Sequence, residues 1–138
     1  MKKKILSALL TACMLASTLV LPSAAASSYT GSDNEQKVYE FAINKLGVNG
    51  AVASAILANI YSESGFRPTA SAMESDGYIS YGICQWHKGR YDALQSYCAS
   101  NGLDYTTIEG QLEYLKYELE NGERSAYNKI RGAENTAE

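Results

Sequence analysis

Histidine and tryptophan each occur once in this chain, proline twice and cysteine three times, among 138 residues. A single imidazole excludes the His-containing ligand clusters from which most zinc sites are built, so neither a metal nor another cofactor is expected. A long apolar run is also missing. The longest, residues 5–21, falls short of the roughly 20 residues that a membrane-spanning helix needs. Positive charge is in deficit: twelve Lys+Arg face fifteen Asp+Glu, a formal net charge of −3, which leaves no electrostatic footprint for nucleic acid. There is no internal repeat, low-complexity tract or nucleotide-binding glycine loop.

What is present begins with an address. Lys2, Lys3 and Lys4 precede the apolar run, and Pro22 and a small-residue stretch place cleavage after Ala26. Residues 1–26 therefore read as an export signal, and the mature chain as secreted or associated with a cell wall. Two alternatives rank below this, a lipid-modified Cys13 and an uncleaved anchor. Cleavage removes three basic residues and no acidic ones, leaving nine against fifteen, a formal −6. A field of that sign does not draw the chain to an anionic wall, so binding there must rest on local contacts. About 112 residues remain, enough for one domain with one core, read as a monomer. Cys84 and Cys98 stay behind as an even pair in an exported chain, and whether they bridge is left open.

Residues 27–34 form a polar, flexible leader, and the domain proper occupies 35–138. Ser32 or Asp33 can cap a helix running to Leu46, with Val38, Phe41 and Ala42 on one face and Gly47 at its end. Asn49 then opens a second helix, A-V-A-S-A-I-L-A-N-I-Y (51–61), apolar on nearly every side and so expected in the middle of the domain. Lys88 to Ser100 forms a third helix, with Tyr91, Leu94, Tyr97 and Cys98 in a stripe. Thr106 and Glu109 form a capping box for a fourth, which aligns Ile108, Leu112, Leu115 and Leu119. Residues 125–131 form one more short helix. The chain then stops at N-T-A-E (135–138), which resembles a helix start, and truncation of a complete domain is expected.

Between the second and third helices lies the least regular stretch, rich in Gly, Ser and Tyr, with a short hairpin or extended piece at 78–83. Loops on a rigid scaffold are where sites usually lie. Glu63 stands at the entrance, on the exit of the apolar helix, where burial and the negative helix end would both favour the protonated carboxyl. A carboxyl that keeps its proton near neutral pH is a candidate general acid. By position alone, a solvated Glu at a frayed helix end is the commoner case.

The residues around Glu63 carry a resemblance. E-S-G-F-R-P-T-A (63–70) followed by G-I-C-Q (82–85) is similar to the lysozyme and lytic transglycosylase superfamily. N-I-Y-S-E-S-G-F, then Y-G-I-C-Q-W with Arg90 beyond, then Q-L-E-Y-L-K-Y-E-L (111–119), resembles the phage tail lysozyme family in order and spacing. This covers residues 36–131. The resemblance implies a mainly α, lysozyme-like α+β fold with a small irregular β-lobe and a cleft between lobes. It also implies cleavage of the β-1,4 bond between N-acetylmuramic acid and N-acetylglucosamine in peptidoglycan. Glu63 becomes the catalytic acid, and Gln85 with the Tyr81-Gly82 backbone lines the sugar cleft, with Ser64 beside it. Cys84 stands where the family usually has Met or another apolar residue.

A glycosidase ordinarily has a second carboxylate. Glu74 and Asp76 are the candidates, although Ser75-Asp76-Gly77 is equally good turn chemistry. Without a second carboxylate, Glu63 would act as acid and then base, while the substrate's own hydroxyl closes an anhydro ring. Tyr61, Tyr78, Tyr81 and Trp86 crowd this stretch. Tyr78 and Tyr81 suit stacking on sugars, whereas core packing suits Trp86. A Cys84–His87 thiol dyad has poor spacing. A different class of function is a glycan-binding module on the same fold, without catalysis.

Overall fold

The computed structural model describes residues 32–132. The expected export signal with Cys13, leader residues 27–31 and the 135–138 segment lie outside the described residues. The elements in order are α1 (Asp33–Phe41), a π-helical turn (Ala42–Leu46), α2 (Gly50–Ser64), β1 (Ser71–Met73), β2 (Ile79–Tyr81), β3 (Trp86–His87), α3 (Gly89–Ser100), α4 (Ile108–Asn121) and α5 (Arg124–Gly132). The fold is thus mainly helical with one small sheet, the lysozyme-like architecture expected from the sequence. Among the described residues, no helix is long and apolar enough to cross a membrane.

The described residues form two compact units, one built from 32–59 together with 125–132, the other from Ile60–Arg124. In the first, Ser32 is the cap of α1. Its hydroxyl accepts from the Glu35 amide at 3.3 Å, and the Glu35 carboxylate accepts from the Ser32 amide at 3.2 Å. This reciprocal pair satisfies two donors that a helix start leaves open. The helix continues through its π-helical turn to Gly47, whose φ of 67° fits the left-handed conformation that favours glycine. Asn49 caps α2 as expected, its Oδ1 accepting from the Val52 amide at 3.0 Å. Val38, Ala42, Leu46, Val52, Ile56, Leu57, Ala126, Tyr127 and Ile130 are buried, and the Tyr127 hydroxyl donates to the Leu46 carbonyl at 3.0 Å.

One expectation needs correcting. α2 is not surrounded on every side, because Ala51, Ser54 and Ala58 are exposed while the larger Val52, Ile56, Leu57 and Ile60 share a buried stripe. Alanine is the best helix former and only a weak hydrophobe, so an Ala-rich face reads as apolar yet costs little to leave in water.

In the second unit, three short strands form an antiparallel sheet in the order β1-β2-β3, with Met73 opposite Ile79, Ala72 opposite Ser80, and Ser80 opposite His87. α4 buries Ile108, Gln111, Leu112, Tyr114, Leu115 and Leu119, and α3 buries Leu94 and Cys98. The cap of α4 is Thr107, not Thr106: its hydroxyl accepts from the Gly110 amide at 3.1 Å. Asp104 has already captured Thr106, accepting from its amide at 2.8 Å and its hydroxyl at 2.7 Å, so the next threonine takes over the capping role. Cys84 and Cys98 are both buried and free, which answers the disulfide question in the negative.

Candidate active site

Glu63 is the penultimate residue of α2 and is exposed. Burial therefore does not supply the desolvation anticipated for it. Glu63 lies three residues after Ile60 and seven after Ile56, on the side of α2 that carries the buried stripe, and it is exposed in the last turn of the helix; Tyr61, on the opposite side, is 67% exposed.

Its backbone is nonetheless held firmly. The next residue, Ser64, is only 4% exposed, and its hydroxyl lies 3.0 Å from both the Ile60 carbonyl of its own helix and the Ile83 carbonyl of the 82–85 turn. Arg67 Nε donates to the Ser64 carbonyl at 3.1 Å, placing a cation at the negative helix end. Gly65 and Phe66 both have positive φ, 58° and 61°, and Phe66 is buried. A bulky residue in that conformation is strained, and its ring anchored in the core holds the chain there. The structure thus places Ser64 as an anchor beneath Glu63.

The 82–85 turn is fixed from the other side by Gln111, which is completely buried. Its Oε1 accepts from the Ile83 amide at 2.9 Å, and its Nε2 donates to the Pro68 and Tyr105 carbonyls, each at 2.7 Å. One carboxamide satisfies three backbone groups from three loops, which is what a buried amide must do to offset its desolvation. Gly82 makes this possible: a Cβ there would lie 2.7 Å from Gln111 Oε1, and its φ is 80°. Gln85 is also a bracket, with Nε2 donating to the Gly82 carbonyl at 2.9 Å and the Ala70 carbonyl at 3.2 Å.

Trp86 is fully buried, its indole N–H donating to Glu118 at 3.1 Å, while Arg90 makes two 2.7 Å bonds to the same carboxylate. Gln111 and Glu118 were not singled out by the sequence reading. Gln111 had a signal, a polar residue inside the apolar stripe of α4. Glu118 had none beyond lying on a helix with Trp86 and Arg90 elsewhere in the chain.

The candidate second carboxylates are engaged within the small sheet. Asp76 accepts from Lys88 Nζ at 2.6 Å, from the Tyr78 amide at 3.2 Å, and pairs with His87 Nε2 at 2.9 Å. The Lys88 and His87 contacts hold its carboxyl well below the usual range. Glu74 accepts from the Ser80 hydroxyl at 2.7 Å, and Ser80 Oγ lies 3.3 Å from His87 Nδ1. Ser80, His87 and Asp76 thus line up like a hydrolase triad. The serine, however, is 4% exposed and gives its proton to Glu74, so it is no nucleophile. The Cys84 thiol is pushed upward by burial and by Glu118, which disfavours the reactive thiolate.

Of the aromatic candidates, Tyr78 is 56% exposed, with the Lys88 ammonium 4.8 Å from its ring centroid. Tyr81 is half-buried and stacks on Tyr91 at 4.9 Å, with Tyr105 at 5.8 Å. Burial pushes its hydroxyl upward.

A mainly helical fold with a small antiparallel sheet and a Glu-Ser pair at the end of α2 fits a lysozyme-like protein. The chain belongs to the phage tail lysozyme family, whose family model matches residues 33–138. No curated protein and no solved structure matches it.

Proposed function

We propose that the protein is an exported glycosidase acting on peptidoglycan at the β-1,4 bond between N-acetylmuramic acid and N-acetylglucosamine, with Glu63 as general acid. Family membership supports the substrate class. The observation that carries the residue assignment is the Ser64 hydroxyl shared between Ile60 and Ile83, which ties the carboxylate-bearing helix end to a braced turn. A catalytic acid must be held in a fixed direction toward the leaving oxygen, and this anchor fixes the backbone beneath it. Glu63 is exposed in the free protein, so the bound glycan itself would supply the desolvation that burial does not.

Asp76 and Glu74 are committed to contacts within the sheet, which favours a route without a second carboxylate. Glu63 gives its proton to the leaving glycosidic oxygen, and the C1–O bond breaks. The carboxylate then takes the proton of the muramyl sugar's own 6-hydroxyl as that oxygen bonds to C1, closing an anhydro ring and restoring the acid. Ser64, Gln85 and Gln111 position the turn, and Tyr78 and Tyr81 offer ring faces to the sugar.

A glycan-binding module without catalysis is separated by one variant. Glu63→Gln is expected to abolish release of soluble fragments from purified peptidoglycan while pull-down on the same material persists. Equal release by the variant would remove Glu63 from the chemistry, and no release by the parent protein would favour the module.

A further inference from the structure

A cavity of about 290 Å³ lies within the second unit, lined by Tyr78, Ile79, Lys88, Gly89, Tyr91 and Asp92. Neither Glu63 nor the residues bracing it line this cavity, and only Tyr78 among its walls was a candidate for the sugar cleft. Its chemistry is uneven. Lys88 is satisfied internally, its ammonium 2.6 Å from Asp76 and resting over the Tyr78 ring. Among the described residues, the Asp92 carboxylate forms no ion pair or hydrogen bond. Asp92 is exposed in the first turn of α3, so the unmatched charge facing the cavity is negative. The walls beside it are apolar or aromatic: Ile79 is 43% exposed, and Tyr91 is held in place by its stack on Tyr81. Gly89 leaves open space where a side chain would be, with nothing within 4 Å of a Cβ built on it.

A methylene chain ending in an ammonium matches this arrangement. The chain would cover Ile79 and the tyrosine rings, and the cation would meet Asp92 at the edge of an aromatic face. A neutral sugar leaves the negative charge unmatched, and the lactyl carboxylate of an unsubstituted muramic acid is repelled by it. Given the reading that peptidoglycan is the substrate, we infer that this cavity binds the amine-bearing side chain of the diamino acid in the stem peptide. The protein would then read the peptide as well as the glycan.

The test uses sugar-free peptide, so it is independent of glycan cleavage. The full chain is titrated with the tetrapeptide L-Ala–D-isoGlu–L-Lys–D-Ala, its Nε-acetyl form, and a tetramer of N-acetylglucosamine, following backbone amide shifts. The free-amine peptide is expected to shift the Gly89 and Asp92 amides. Acetylation of the amine, or Asp92→Asn, is expected to weaken binding by about two- to fivefold. Gly89→Leu, which fills the opening at a position without positive φ, is expected to block it. The acetylated peptide tests the charge without altering the protein, so the inference stays open to refutation even where a variant misfolds. Absence of peptide binding, binding indifferent to acetylation, or the same amides shifting with the sugar tetramer would each overturn it. Loss of glycan cleavage in Glu63→Gln with peptide binding retained leaves the two readings separately judged.

Discussion

At the scale of single residues, Glu63 was marked as a candidate because the Glu-Ser pair, Gly-x-x-Gln and Gln-Trp stand in order along the chain. Its environment was not. The apolar look of 51–61 suggested burial on all sides, but alanine and serine occupy one exposed face of α2, and Glu63, on the apolar side by its spacing from Ile56 and Ile60, is exposed in the last turn. Ser64 and Gln85 were read as cleft residues, and the structure shows their polar atoms bonded to backbone carbonyls that shape the turn. Gly82 is the tightest point of that turn. Gly82→Ala must adopt a positive φ and push on a glutamine pinned by three hydrogen bonds, so it cannot be relieved by a rotamer change. We expect a loss of about 2–4 kcal/mol in denaturant unfolding. A loss below about 0.5 kcal/mol, the usual size of a surface effect, would show that the Gln111 brace yields easily.

At the scale of elements, the helices were readable from their apolar spacing and caps, and their ends fell within a residue or two of expectation. Of the small sheet only β2 was, through the alternation at 78–83, while β1 and β3, with two or three residues each, carry too little alternation to mark themselves. Its connections are side-chain bonds between distant positions, such as Asp76 with His87 and Lys88. That latch gives a pH dependence. Asp76 titrates below its ordinary value of 3.8 in the folded state, chiefly through Lys88. A depressed carboxylate contributes stability above the unfolded value that is lost as pH falls below it. Thermal unfolding of the parent protein is therefore expected to weaken through the range below about pH 4 more steeply than that of Asp76→Asn. Parallel curves for the two proteins would mean that the latch contributes nothing to folding.

At the scale of the whole molecule, composition limited the possibilities more than it identified them. The acidic balance and single histidine argued against nucleic acid and zinc. The count of cysteines in a chain read as exported left a bridge open, because pairing depends on where two distant segments meet. Both thiols are buried and unpaired. The melting temperature is expected to be the same with and without reductant, and Cys84 and Cys98 should both become alkylatable on denaturation without prior reduction. A melting point lowered by reductant would indicate a bridge. The assignment to the phage tail lysozyme family rests on the match over 33–138, and the proposed chemistry on Glu63 at the end of α2. Mass spectrometry of what the protein releases from purified peptidoglycan addresses both at once. We expect muropeptides with newly cut glycan ends, carrying anhydro-muramyl termini, and none from Glu63→Gln. Reducing termini would restore a role for a second carboxylate, and free stem peptides with uncut glycan strands would contradict glycan cleavage by Glu63.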